Sequence, residues 1–169
     1  MSLSMHSASV PLLTQMLTAL SGVLKKAEAH AAARKVDPAV LLEYRLAPDM
    51  FPLRRQVQIA CDFAKGTAGR LAGVELPSWA DDETTFDQLH ARIAKTLDFV
   101  ASLDAGQFAG SDAREIVLRP GTDKEKRYDG RTYLLNYAVP QFLFHVTTAY
   151  AILRHAGVGI GKKDFMGLR

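Results

Sequence analysis

Apolar residues recur with a helical period over most of the chain. Leu13, Leu17, Leu20, Leu24 and Ala27 fall at i, i+4, i+7, i+11 and i+14, which predicts a first helix over residues 9–34. Ser9 is its expected N-cap, with Pro11 tolerated in the first turn. Asp37-Pro38 opens a short helical piece that Ala47-Pro48 breaks. A second long helix is predicted over residues 49–71 and is stopped by Gly73. The third begins at Thr84 or Thr85, carries Phe86, Leu89, Ile93, Leu97 and Val100 on one side, and ends near Leu103. Residues 114–118 then alternate weakly, Pro120-Gly121-Thr122-Asp123 marks a turn, and Lys124-Glu125-Lys126-Arg127-Tyr128 follows as a charged run. Together these predict a small β-hairpin. The fourth helix starts after Asp129, a good N-cap, and stops at Gly157; residues 158–169 form a Gly-rich basic tail.

Four long helices with one apolar stripe each predict an all-α fold, a four-helix bundle with a β-hairpin insert between helices three and four, as a single domain over residues 1–169. The connection holding the hairpin, about 25 residues, is long for a bundle loop, which is why it has structure of its own.

Stepping the side chains at ~100° around each helix separates wet from dry faces. On the second helix Arg54, Gln58, Asp62, Lys65 and Gly69 fall together as the expected wet face. Gln56 falls with Ala60, Phe63 and Thr67 on or beside the dry one. On the fourth helix Asn136, Thr147 and Arg154 define the wet side. Gln141 and His145, one turn apart, point inward with Leu134, Ala138, Ala149 and Ile152. A buried amide or imidazole without partners costs roughly 1–3 kcal/mol, so these groups need something to satisfy them. Pro140 kinks the same helix beside them, a plausible place for a small cavity. His90 and His6 fall at the edges of inner stripes and are weaker candidates.

Composition narrows the classes. Hydrophobic residues are 48% and charged residues 23% of the chain, a globular balance. The 21 Lys and Arg are opposed by 18 Asp and Glu, for a net charge of +3, so no concentrated basic face is expected and nucleic acid is not an expected partner. Cys61 is the single cysteine; it excludes an intrachain disulfide and reads as a buried small hydrophobe in a reduced, cytoplasmic setting. Met1-Ser2-Leu3-Ser4-Met5-His6 lacks the basic and apolar regions of a signal peptide. Residues 133–153 are apolar enough to raise the question of a membrane span. Asn136, Gln141, His145, Thr147 and Thr148 make them a buried helix instead.

Four stretches carry a family resemblance: Pro48-Asp49-Met50-Phe51-Pro52-Leu53, Gln56-Val57-Gln58-Ile59-Ala60, the run from Phe142-Leu143-Phe144-His145 to Leu153-Arg154, and Gly159-Ile160-Gly161-Lys162-Lys163-Asp164-Phe165. They resemble DUF1993, a family of uncharacterised bacterial proteins within the DinB-like helical bundles. The resemblance spans nearly the whole chain. DinB-like proteins hold a divalent metal with one histidine from the second helix and two, four residues apart, from the fourth. Counting back from Leu153-Arg154 places His145 on the second of the pair, Gln141 on the first, and Gln56 on the second-helix ligand. This chain keeps one histidine and has glutamine at the other two positions. An amide oxygen is a weak ligand for Zn²⁺, Ni²⁺ or Fe²⁺.

The resemblance therefore implies a central bundle pocket lined by Gln56, Gln141 and His145, taking a small ligand or forming a degenerate metal site with His145 as ligand. No tightly held metal is the leading expectation; a divalent Zn, Ni or Fe ion is the other. A metal-dependent thiol-transferase-like enzyme and a structural homodimer without pocket chemistry are the alternatives. The fourth helix is apolar nearly all round, so a second copy of the chain is an expected partner.

Overall fold

A computed structural model describes residues 3–168; Met1, Ser2 and Arg169 lie outside the described residues. The elements in order are α1 (Met5–Arg34), α2 (Pro38–Glu43), α3 (Leu53–Ala72), α4 (Phe86–Ala101), a 3-10 turn (Ala105–Phe108), β1 (Glu115–Leu118), β2 (Lys126–Asp129), α5 (Gly130–Thr132), a π-helical segment (Tyr133–Ala138), α6 (Val139–His155) and α7 (Lys162–Met166). α3 packs between α4 and α6, and α1 closes the bundle against α4, α6 and α3. Leu13, Leu17, Leu24, Leu53, Val57, Leu71, Leu89, Phe142 and Ile152 are fully buried between them. The expected four-helix bundle with a hairpin insert is what forms. The hairpin pairs antiparallel, Glu115 opposite Asp129 and Leu118 opposite Lys126.

The helix ends correct the sequence reading in two places. α1 begins four residues before Ser9, because Ser4 and Ser7 form a reciprocal capping box. Ser9 is instead fully buried and its hydroxyl donates back to Met5 O at 2.7 Å. α3 begins at Leu53 rather than Asp49; Pro52, extended at φ −71°, occupies its N-cap. α1 is the one described helix with the length and hydropathy to cross a membrane; here its apolar stripe is packed into the bundle.

The fourth predicted helix is a composite of α5, the π segment and α6. Proline cannot donate a backbone hydrogen bond, so an uninterrupted α-helix through Pro140 would leave a carbonyl without its donor. The chain widens before it: Val139 N–H bonds Leu134 O, five residues back, and the regular α-helix resumes with Pro140 in its first turn. At the junction of β2 and this helix only glycine fits. A Cβ on Gly130 would lie 1.8 Å from Ser111 O.

The larger correction concerns α3. Its expected wet face is covered. Gln58 and Lys65 are buried because Arg92 of α4 and the connection over residues 79–83 close over them, and Gly69 is covered by Leu76 and Phe99. Arg92 is 1% exposed and reaches Glu83 Oε1 at 2.9 Å, Asp62 Oδ1 at 2.9 Å and Asp81 Oδ1 at 2.8 Å. Gln58 Nε2 donates to Glu83 Oε2 at 2.9 Å and Arg55 bonds Asp81. Trp79 sits between Lys65 and Lys95, whose ammonium groups lie 4.3 and 4.4 Å from its ring centre.

Candidate functional site

The seam between α3 and α6 brings Gln56 and His145 together. Gln56 lies in the first turn of α3, and its Nε2 donates to Phe51 O at 3.0 Å. That bond turns Oε1 toward His145 Nδ1, 2.7 Å away. An amide oxygen only accepts, so Nδ1 carries the proton and the lone pair sits on Nε2. Burial, and then the charge of Arg55, push the His145 pKa down to about 4, so the ring is neutral near pH 7. Phe63 stacks on it at 5.8 Å between centroids and Phe144 meets it edge-on at 5.2 Å. Among the described residues Nε2 has no hydrogen-bond partner, yet it is not sealed from solvent.

Gln141 does not join this pair. It is half-buried and lines an open depression of about 260 Å³ with Asn136, Tyr137, Pro140 and Phe144. The three residues expected to line one central pocket are therefore a hydrogen-bonded pair and a neighbour on the flank.

A second cavity lies on the other side of Phe63. It measures about 200 Å³, between α3 (Asp62, Phe63, Arg70), the hairpin (Leu118, Arg119) and the π segment (Tyr133, Tyr137). Arg70 Nη1 donates to Tyr133 Oη at 3.3 Å. Its guanidinium folds back over Gly66, where a Cβ would stand 2.4 Å from Nη1. Arg119 enters from the strand end at φ +53°, a left-handed conformation that a non-glycine residue seldom adopts. Neither arginine pairs with a carboxylate among the described residues. Asp62, on the same wall, already holds Arg92 and Lys65. Phe63, Tyr128 and Tyr133 surround Tyr137 at 6.0, 5.5 and 6.0 Å, and Lys126 Nζ lies 5.8 Å over that ring.

The profile of the Domain of unknown function (DUF1993) matches residues 5–166. The chain belongs to the DUF1993 family. A comparison with curated proteins finds no match. The crystal structure of a DinB family member from Shewanella denitrificans is similar to this DUF1993 protein, with 42% identity and a TM-score of 0.91 over 97% of this chain and 92% of that one.

The three-histidine metal chemistry of DinB-like bundles can be tested against the donors this DUF1993 chain presents. One imidazole faces the seam, and the oxygen of Gln56 is already committed to its Nδ1–H. His6 packs edge-on to Phe108, His90 is held by Ser21 and Glu28, and Asp62 is held by Arg92. Among the described residues no group of three or more His, Cys, Asp or Glu converges. The donor set does not fit a three-histidine site. Cys61 offers no nucleophile either: it is buried, and burial pushes its thiol up to about 12.

Arg70, Arg119, Tyr133 and Tyr137 escape the sequence reading because no spacing links a helix residue to a hairpin residue 49 positions later. The available signal was Gly66, a glycine inside a helix one turn before an arginine.

Proposed function

We propose that this DUF1993 protein is a binding protein for a small organic anion with a flat apolar body, held in the cavity between α3, the hairpin and the π segment. The observation that supports this reading is the pair of arginines, Arg70 and Arg119, that line one aromatic-walled cavity without a carboxylate partner. A guanidinium presents a planar fork that matches a carboxylate, and aromatic rings accept a flat body on their faces. Benzoate and its neutral analogue benzamide test it by titration calorimetry. Saturable benzoate binding is expected, with benzamide and the Arg70→Gln variant each weaker by about tenfold or more, since a charge-assisted hydrogen bond contributes about 1.5–3 kcal/mol. Equal binding of the two compounds, or no change in Arg70→Gln, refutes the reading.

A second reading has one observation in its favour. His145 is neutral, its tautomer is fixed by Gln56 and its Nε2 is open, which is the state a metal-ligating imidazole takes. Elemental mass spectrometry of untagged protein decides it. Stoichiometric Zn, Ni or Fe that vanishes in His145→Ala would favour the metal; we propose instead that none is tightly held.

We also propose that the chain pairs with a second copy over the side chains beside His145. Phe51 is 55% and Phe144 54% exposed there, large apolar groups that an interface would cover.

A further inference from the structure

Several serine and threonine side chains inside this chain's helices turn back on their own helix. Ser9, Thr67, Thr96 and Thr148 each donate to the carbonyl four residues earlier. Ser21, in the middle of α1, does not. Its Oγ lies 3.0 Å from His90 Nδ1, across on α4. The other nitrogen of the same ring, Nε2, lies 3.0 Å from Glu28 Oε2, two turns further along α1. A carboxylate only accepts, so in the neutral ring Nε2 carries the proton and Nδ1 presents its lone pair to the Ser21 hydroxyl. Hydroxyl, imidazole and carboxylate thus stand in the order nucleophile, base and orienting acid.

Ser21 also opens onto the largest cavity described, a groove of about 580 Å³ between α1, Leu97 of α4 and the α7 end of the chain. Thr18 and Lys25, one turn to either side of Ser21, line the same groove. Lys25 has no ion-pair partner and the Thr18 hydroxyl no hydrogen bond among the described residues, whereas Lys26 is paired with Asp164 at 2.5 Å. Beside Ser21 the backbone is open: a Cβ on Gly22 would meet no atom within 4 Å. Ala19, Leu97 and Leu168 supply apolar surface for a short acyl chain.

We propose that Ser21, His90 and Glu28 form a nucleophilic site that hydrolyses short-chain carboxylic esters. Ser21 Oγ bonds the ester carbonyl carbon while its proton passes to His90 Nδ1, and the carbonyl pair moves onto oxygen, facing Lys25 and Thr18. Collapse of that intermediate breaks the carbon–alkoxy bond, and the alkoxide takes the proton from His90 to leave as an alcohol. A water molecule, giving a proton to His90, then attacks the acyl carbon; Ser21 Oγ departs with that proton, and a carboxylic acid is released. Ser21 and His90 are the catalytic residues; Glu28 is a positioning residue that fixes the tautomer. The proposal uses the α1–α4 seam and does not rest on the anion cavity at α3.

The test uses the full chain with 4-nitrophenyl acetate and butyrate, and a fluorophosphonate probe located by peptide mass spectrometry. The expected result is a fluorophosphonate adduct on Ser21. Ester turnover is expected to fall by about 100-fold or more in Ser21→Ala and in His90→Gln, the scale on which nucleophile and base act. In Glu28→Gln kcat falls while KM stays, a split that a merely structural tie would not give. Circular dichroism confirms that each variant is folded, and Lys124→Gln, on the exposed hairpin turn, serves as a control with unchanged turnover. Turnover in Ser21→Ala equal to that of the parent chain, or no adduct on Ser21, overturns the proposal.

Discussion

At the residue scale, His145 and Gln56 act as one unit. The imidazole is held neutral by its surroundings, while in the unfolded chain it titrates near 6.5. Its folded pKa is the lower one, so the unfolded chain binds more protons between the two values. The stability from this group is fully present above pH 6.5 and is lost as pH falls toward 4. Urea melts at pH 7 and pH 4.5 should show a loss of up to about 3 kcal/mol that is absent from His145→Gln. Gln56→Ala removes the acceptor of Nδ1–H and the donor to Phe51 O together. A loss of about 1–3 kcal/mol is expected in thermal or urea melts. The pair was legible in the sequence because both residues lie on regular α-helix, where 100° stepping keeps its phase. Gln141 shares that helix with His145, but four residues advance the angle by about 40° beyond a full turn, enough to carry its amide to the flank.

At the element scale, α3 is the helix the sequence reads least well. A single apolar stripe assumes one covered face, and α3 is covered on both sides, by α6 and by α4 with its preceding connection. The small residues Ala60, Ala64, Gly66, Ala68 and Gly69 were the sign of that close approach; the charges beside them masked it. Two substitutions separate packing from function here. Arg92→Ala leaves Glu83, Asp62 and Asp81 without their shared cation, and breaking a buried pair of this kind costs about 3–5 kcal/mol, read as a fall in the urea midpoint. Gly66→Ala does the opposite. The helix gains about 0.5–1 kcal/mol from the better helix former, while the new methyl displaces the flexible end of Arg70. A variant more stable in melts and weaker for benzoate is the expected pair of results.

At the scale of the whole molecule, the bundle and its hairpin follow from helical period and turn chemistry. The helix boundaries shift by a few residues where Ser4 and Pro52, rather than the nearest apolar residue, set the end. The apolar patch at Phe51 and Phe144 belongs to this scale. Phe144→Asp should convert a dimer to a monomer in sedimentation analysis while leaving the Ser21 groove unaffected.

The connection between α3 and α4 has no helix or strand over residues 74–84, yet it is fastened at Trp79, Ala80, Asp81 and Glu83 by Lys65, Lys95, Arg55 and Arg92. Backbone shape makes it a loop; energetically it belongs with the core. Side chains and the Ala80 carbonyl, not its own amides, hold it, so proteases should spare residues 79–83 although their amides exchange freely with deuterium. The exposed turn over residues 119–124 is the opposite case, and there new chain ends could be opened without unfastening the bundle.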